Sequence, residues 1–276
     1  MMKKQDEAAK MPIKMQARAS GRGAPLVLVP GGLTGWASWE PFVEQLSGSH
    51  RVLSVQLLAV QYGLEDRPLP AEYSVKTESG ALLAALTEAD VQKPADIVAW
   101  SYGALISLDY ALDHIERIRT LTLIEPPALW VLHASGYMDE ELRAHEALVR
   151  SFHGDVSEDQ LAEFLCTVGI CPPGKTARDL PQWANWVKYK QSLRQGPAVP
   201  EHKDDPRRLR TLQRPVLLVK GTGSAGFLHR IIDLLAAELP DARVVEMPGG
   251  HTPHIVSRDR FFRETASFHR GSTSGG

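Results

Sequence analysis

Only two of the 276 residues are cysteine, Cys166 and Cys171, so a disulfide scaffold cannot organise this fold. Without a second Cys or His cluster nearby, their C-x4-C spacing also argues against a zinc site. The pair reads as buried or incidental thiols, which fits a reducing cytoplasm. Excess charge is missing too. The 31 Lys and Arg against 33 Asp and Glu leave a net −2, too little positive charge for a partner held through nucleic-acid phosphates. No apolar run approaches the roughly 18 residues that a membrane helix needs. The opening MMKKQDEAAKMPIK is charged and has no apolar stretch of the secretory kind, so the expectation is a cytoplasmic protein without a leader. Repeats and low-complexity blocks are absent, apart from a GSTSGG tail at 271–276 that reads as linker.

What remains is an ordinary globular composition, 43% apolar and 23% charged, which excludes bulk disorder. A chain of this length buries roughly 70–75% of its unfolded surface, enough for a core without staples. Strand-like runs occur at Leu26–Val29, Arg51–Leu58, Asp96–Trp100, Thr120–Ile124, Pro215–Val219 and Arg243–Met247. Several are continuously apolar, as strands buried on both faces read. Helical periodicity fills the gaps at Trp39–Leu46, Thr77–Ala89, Tyr102–His114, Phe227–Leu239 and about Ile255–Phe268. Strand–helix–strand alternation with short connections predicts an α/β fold, a mostly parallel sheet with helices on both faces. Between Pro126 and Arg214 no strand is convincing. Three helical stretches, about Met138–Phe152, Glu158–Val168 and Ala177–Leu193, predict an inserted helical cap. The expected division is a core of residues 1–127 and 213–276, with a cap of 128–212.

Chemistry concentrates at three turns that follow strands. In Ile97-Val98-Ala99-Trp100-Ser101-Tyr102-Gly103-Ala104-Leu105 an apolar strand runs into Ser101 and an apolar helix starts at once. Small residues two positions either side of the serine let the strand and helix backbones approach. Such a turn exposes the hydroxyl at the carboxyl edge of the sheet and aims a helix N-terminus at it. After Leu26–Val29 comes Pro30-Gly31-Gly32-Leu33-Thr34-Gly35, whose glycines let main-chain N–H groups approach a substrate. The N–H groups of Gly32 and Tyr102 are the candidates to hold an oxyanion, the alternative being an ordinary glycine-rich turn. After the last strand, Gly249-Gly250-His251 puts a histidine on a glycine-rich loop, suited to a general base. His254, followed by Ile255-Val256, reads as the start of the final helix, and the other histidines read as surface or packing residues.

Together, and in this order, these pieces resemble the α/β-hydrolase superfamily from about Leu26 to Phe268. The resemblance implies Ser101 as nucleophile, His251 as base, Gly32 and Tyr102 as oxyanion donors, and no cofactor. It further implies a serine hydrolase acting on a carboxylic ester, lactone or similar small acyl compound through an acyl-enzyme. A C–C hydrolase, a perhydrolase, an acyltransferase, or a ligand-binding or signalling homologue with little turnover are the alternatives. Three departures from the family pattern stand out. Pro30 replaces the His that commonly opens the oxyanion turn, and Gln56 stands where many relatives carry Asp. The loop Gly221-Thr222-Gly223-Ser224, where relatives place the Asp that partners the histidine, holds no carboxylate. Glu125, ending the strand Thr120–Ile124 at the same sheet edge, is the candidate substitute, the alternative being that it only shapes the chain's entry into the helical cap. Asp233 lies inside a helix and Asp241 at the opposite edge.

Other patterns are decoys. Gly169–Thr176 matches the P-loop letter for letter, but a helical pattern precedes it and Pro172 and Pro173 offer no N–H to a phosphate. His145-Glu146 opens like a zincin motif, yet Val149 stands where the second His belongs. Trp183, Trp186 and Tyr189, every third residue in the cap, are expected either to pack or to line an apolar substrate pocket. No metal site emerges from these readings, and the oligomeric state is not legible.

Overall fold

The computed structural model describes residues 13–271 apart from Pro173. In chain order the elements are β1 (Gln16–Ser20), β2 (Ala24–Val29), α1 (Glu40–Leu46), β3 (His50–Gln56), α2 (Leu58–Leu64), α3 (Val75–Glu88), β4 (Ala95–Trp100), α4 (Tyr102–Asp113) and β5 (Ile118–Ile124). Then follow α5 (Leu129–Ser135), α6 (Glu140–Arg150), α7 (Glu158–Thr167), α8 (Trp183–Tyr189) and α9 (Ala198–Glu201). The chain closes with β6 (Val216–Gly221), α10 (Gly226–Glu238), β7 (Ala242–Met247), α11 (Pro253–Val256) and α12 (Arg258–Gly271). The strands form one sheet in the order β1-β3-β2-β4-β5-β6-β7, with β1 antiparallel to β3 and every other pair parallel.

Alternate residues of the central strands feed two separate cores, which is the physical content of a sheet covered on both faces. Val27, Val29, Ile97, Ala99, Leu121, Leu123 and Leu218 pack with Leu82 of α3, Leu105 of α4 and Ile231 of α10. Leu26, Leu28, Val98, Trp100, Ile124, Leu217 and Val219 pack with Phe42 of α1 and Phe261 and Phe268 of α12. The parallel strands therefore end together at one edge, where β2, β4, β5, β6 and β7 hand over to the loops that hold the candidate residues.

Several element boundaries differ from the sequence reading, each for a local reason. Strand β1 (QARAS) is an exposed polar edge strand with no apolar signal to betray it. Leu57 and Leu58 leave the strand because Glu78, buried on α3, accepts the N–H groups of Leu58 and Ala59 at 2.9 Å each and so caps α2. The expected helix 177–193 breaks into a 3-10 turn at Ala177–Asp179, α8, and a second 3-10 segment at Lys190–Gln195. Pro181 forces Leu180 into the extended region (φ −90°, ψ 141°), which no helix tolerates. The last helix divides at Ser257 into α11 and α12.

The segment between β5 and β6 carries its own small core, in which Val149, Phe152, Leu161, Leu165 and Leu193 meet. Cys166 and Cys171 are not thiols: a disulfide joins them across a Cα–Cα distance of 4.7 Å. Helix α7 stops at Thr167 and Gly169 turns the chain back at φ +83°, bringing the two within bridging range. Such a pair is more usual outside the reducing cytoplasm than in it. The tail 272–276 and residues 1–12 lie outside the described residues. Among the described residues no helix is long and apolar enough to cross a membrane.

Candidate active site

Strand β4 delivers Ser101 with φ 53° and ψ −125°, a backbone conformation costly for any residue with a side chain. The turn is tight enough that a Cβ on Gly103 would lie 2.1 Å from the carbonyl oxygen of Pro30, which explains the glycine there. Tyr102 is the first residue of α4, so its N–H has no acceptor within the helix. Its ring is fixed from behind: Tyr102 and Tyr73 share a hydroxyl–hydroxyl hydrogen bond of 3.1 Å, and the Tyr73 hydroxyl donates to Glu78 at 2.7 Å. Burial pushes the Glu78 carboxyl and both phenols up from their ordinary values.

His251 comes to Ser101 from the loop after β7. Its Nε2 lies 2.7 Å from the Ser101 Oγ, and its Nδ1 lies 3.4 Å from Oε2 of Glu125. Histidine and carboxylate are both buried, at 3% and 0% exposure. Glu125 leaves β5 with φ 50° and reaches across the end of β6, where its Oε1 accepts the Gly221 N–H at 2.6 Å. The loop Gly221–Ser224 thus supplies a donor to the carboxylate instead of a carboxylate of its own. Trp100 steadies the histidine loop by donating from Nε1 to the His251 carbonyl at 2.8 Å. On the other side the His251 N–H meets the carbonyl of Gly169 at 3.4 Å. That contact is backbone on backbone, since a Cβ on Gly250 would fall 1.6 Å from the Gly169 oxygen and one on Gly169 would fall 2.7 Å from the Gly223 oxygen.

The glycine-rich turn after β2 sits directly over the helix start. A Cβ on Gly31 would lie 2.8 Å from the Trp100 ring, so the main chain can pass only without one. Gln56 keeps a supporting role despite lacking a carboxylate: its Oε1 accepts the Trp36 N–H at 2.8 Å. A cavity of about 410 Å³ opens above Ser101, bounded by Gly32, Tyr102 and His251 below and by the β5–β6 segment above.

Of the three aromatics expected to pack or line a pocket, only Trp186 borders this cavity. Trp183 holds the Arg178 guanidinium 5.2 Å from its ring centroid, and Tyr189 packs between two cores. Sequence reasoning missed other residues. Of the two readings, surface or packing, His145 takes the second, and it does so in the cavity wall, buried between Phe164 and Phe227. Burial and the neighbouring His251 hold it down at about 4. Its place on α6 four residues before the cavity-lining Val149 was the available signal. Gln195, at the end of the 3-10 segment, also lines the cavity, with Nε2 donating to the Gly32 carbonyl at 3.4 Å. Nothing in its sequence context marks it. His254 is wholly buried among Trp39, Phe42, Trp100 and Phe261, and burial holds it at about 3. For the P-loop pattern, α7 rather than a strand precedes Gly169, and Pro173 lies outside the described residues.

A model of the alpha/beta hydrolase family matches residues 26–264, and the chain belongs to that family. It is 32% identical over 115 residues to the 2-hydroxymuconate semialdehyde hydrolase of Pseudomonas sp. strain CF600, a match covering 41% of this chain and 40% of that one. Over 267 residues it is 27% identical to a protein of Klebsiella pneumoniae named, provisionally, carbamate hydrolase RutD, covering 89% and 91%. Over 194 residues it is 29% identical to the pimeloyl-[acyl-carrier protein] methyl ester esterase of Neisseria meningitidis serogroup B, covering 68% and 72%. Among solved structures, a hydrolase from Pseudomonas aeruginosa superposes with a TM-score of 0.73 at 20% identity, covering 92% of this chain and 93% of that one.

Proposed function

We propose that this hydrolase-family protein is a serine hydrolase that cleaves a carboxylic ester, lactone or similar small acyl compound. The observation that carries the reading is the 2.7 Å contact of Ser101 Oγ with His251 Nε2 at the floor of a cavity. In this mechanism His251 Nε2 takes the hydroxyl proton as Oγ adds to the carbonyl carbon. The N–H groups of Gly32 and Tyr102 hold the oxygen that gains the electron pair. Glu125 accepts from Nδ1–H and balances the charge on the imidazolium. As the tetrahedral adduct collapses, His251 returns the proton to the leaving alcohol. Water, deprotonated by the same nitrogen, then releases the acid. The reaction uses only these groups and water. Residues 128–212 act as a cap over a core of 1–127 and 213–276, and Trp186, His145 and Val149 shape the acyl pocket.

Carbon–carbon cleavage is the second reading, favoured by the similarity to a 2-hydroxymuconate semialdehyde hydrolase. Labelling with a fluorophosphonate probe, followed by a screen of ester, lactone and vinylogous diketone substrates, separates the outcomes. Rapid labelling that disappears in Ser101→Ala, together with ester turnover, supports the proposal. Turnover retained by pure Ser101→Ala protein overturns it.

A further inference from the structure

We propose that the side-chain amide of Gln195 is a third donor to the oxyanion, reaching it from the segment between β5 and β6. The proposal rests on the acyl-transfer reading above.

Gln195 is 4% exposed and borders the cavity beside Gly32, Ser101 and Tyr102. A Cβ built on Gly32 would lie 2.3 Å from Gln195 Nε2 and 3.3 Å from Cβ of Tyr102. The amide nitrogen therefore occupies the space that a Gly32 side chain would take, on the flank of Gly32 that Tyr102 also borders. An amide nitrogen carries two hydrogens. One is used by the Gly32 carbonyl at 3.4 Å, and the other is left for the cavity. The amide cannot turn over, because its oxygen would then face the Gly32 oxygen. The Oε1 accordingly stays buried without a partner among the described residues, a cost that an active donor on the same group accounts for.

The donor is also held rigidly. At the next residue, Gly196, a Cβ would meet the Phe152 ring at 2.5 Å and the Val149 carbonyl at 2.7 Å. One on Gly63 of α2 would meet the Ser192 N–H at 2.6 Å. The 3-10 segment is wedged between α2 and α6, so the amide needs no reorganisation when charge develops. The same turn opens with Pro30, which has neither an N–H nor a polar side chain. Gln195 restores a donor from outside the turn. No bond to Gln195 forms or breaks: as Ser101 Oγ adds, the carbonyl π pair moves to oxygen and the Nε2–H donates to it.

The test compares wild type, Gln195→Met and Gln195→Glu, with 4-nitrophenyl butyrate as substrate and a butyl trifluoromethyl ketone as oxyanion mimic. In Gln195→Met, kcat falls about 10- to 100-fold, somewhat under the loss recorded for a principal oxyanion donor. KM moves by less than about threefold, while affinity for the ketone falls by the same factor as kcat, as transition-state binding requires. Should the methionine variant fail to fold, Gln195→Glu keeps the size: its kcat relative to wild type rises as pH falls, because only a protonated carboxyl donates. An unchanged kcat, a kcat loss without loss of ketone affinity, or a flat pH ratio for the glutamate variant overturns the assignment. Absence of wild-type turnover, or turnover surviving Ser101→Ala, overturns the acyl-transfer reading and the Gln195 role together. Turnover that needs Ser101 and ignores Gln195 overturns the Gln195 role alone.

Discussion

Ser101 and Glu125 leave neighbouring parallel strands through the same unusual backbone, φ 53° and 50°, and the Ser101 N–H donates to the carbonyl of Ile124 at 2.8 Å. Only four non-glycine residues among those described have positive φ, and the other two, Asp66 and Asp90, follow helix ends. Such conformations persist only where the surroundings hold them. Here they aim two side chains at one histidine from adjacent strand ends.

This geometry predicts a large catalytic loss for Glu125→Gln. The amide keeps the shape but no longer balances an imidazolium, and in the serine-protease precedent the same change at the acid lowers turnover about 10⁴-fold. We expect at least a tenfold loss in kcat with an unchanged circular dichroism spectrum, and partial recovery on adding Ser224→Asp. A loss below about threefold would make Glu125 a structural residue, well short of that precedent.

The two loop histidines should separate cleanly. His251→Ala should match Ser101→Ala in lost turnover, because serine is a weak nucleophile without its base. His254→Ala should instead unfold more easily, since it empties a site walled by four aromatic rings; by analogy with aromatic truncations the cost is about 2–4 kcal/mol. Urea unfolding and kcat on the same samples would reveal any reversal of these roles.

How far these residues were legible in the sequence follows from what each one's neighbours say locally. Ser101, Gly32 and His251 sit in short apolar-then-glycine contexts whose steric meaning survives without coordinates. Glu125 was readable only by elimination, since the 221–224 loop lacks a carboxylate. His145, Gln195 and the Tyr73–Glu78 support of Tyr102 depend on contacts between distant segments, and no periodicity encodes those. Polar β1 and the break at Pro181 show the same limit for the fold: apolar pattern marks what the sheet buries and is silent on an exposed edge.

Acid should weaken the fold through two buried histidines. His254 at about 3 and His145 at about 4 bind protons less readily folded than unfolded, where 6.5 is ordinary. Between those values the unfolded chain holds more protons, so stability is complete above about pH 6.5 and drains as pH falls, each group contributing at most about 1.4 kcal/mol per pH unit. Melting temperature measured from pH 8 to pH 4 should drop steeply below 6.5. In His254→Phe the drop should be shallower, and an identical slope would contradict the assignment.

Two glycine-to-alanine changes should have opposite signs. Gly103→Ala drives a methyl group to within 2.1 Å of the Pro30 oxygen and 2.9 Å of the Val29 oxygen, so soluble expression or activity should be lost. Gly80→Ala, on the exposed face of α3 with open space around it, should stabilise by up to about 1 kcal/mol. Chemical denaturation of the pair against wild type reads both.

Gly169 and Gly250 bear on how this protein can be re-engineered. Because the bridged 166–171 loop meets the histidine loop through bare main chain, the two parts are fitted to each other at a spot where no side chain is admissible. A chimera that imports the β5–β6 segment of another family member will dock only if the donor brings glycine at the position of Gly169. If it does not, the recipient's His251 loop must be redrawn with it. The segment is thus not a portable module, and its borders for recombination lie on both sides of that seam at once.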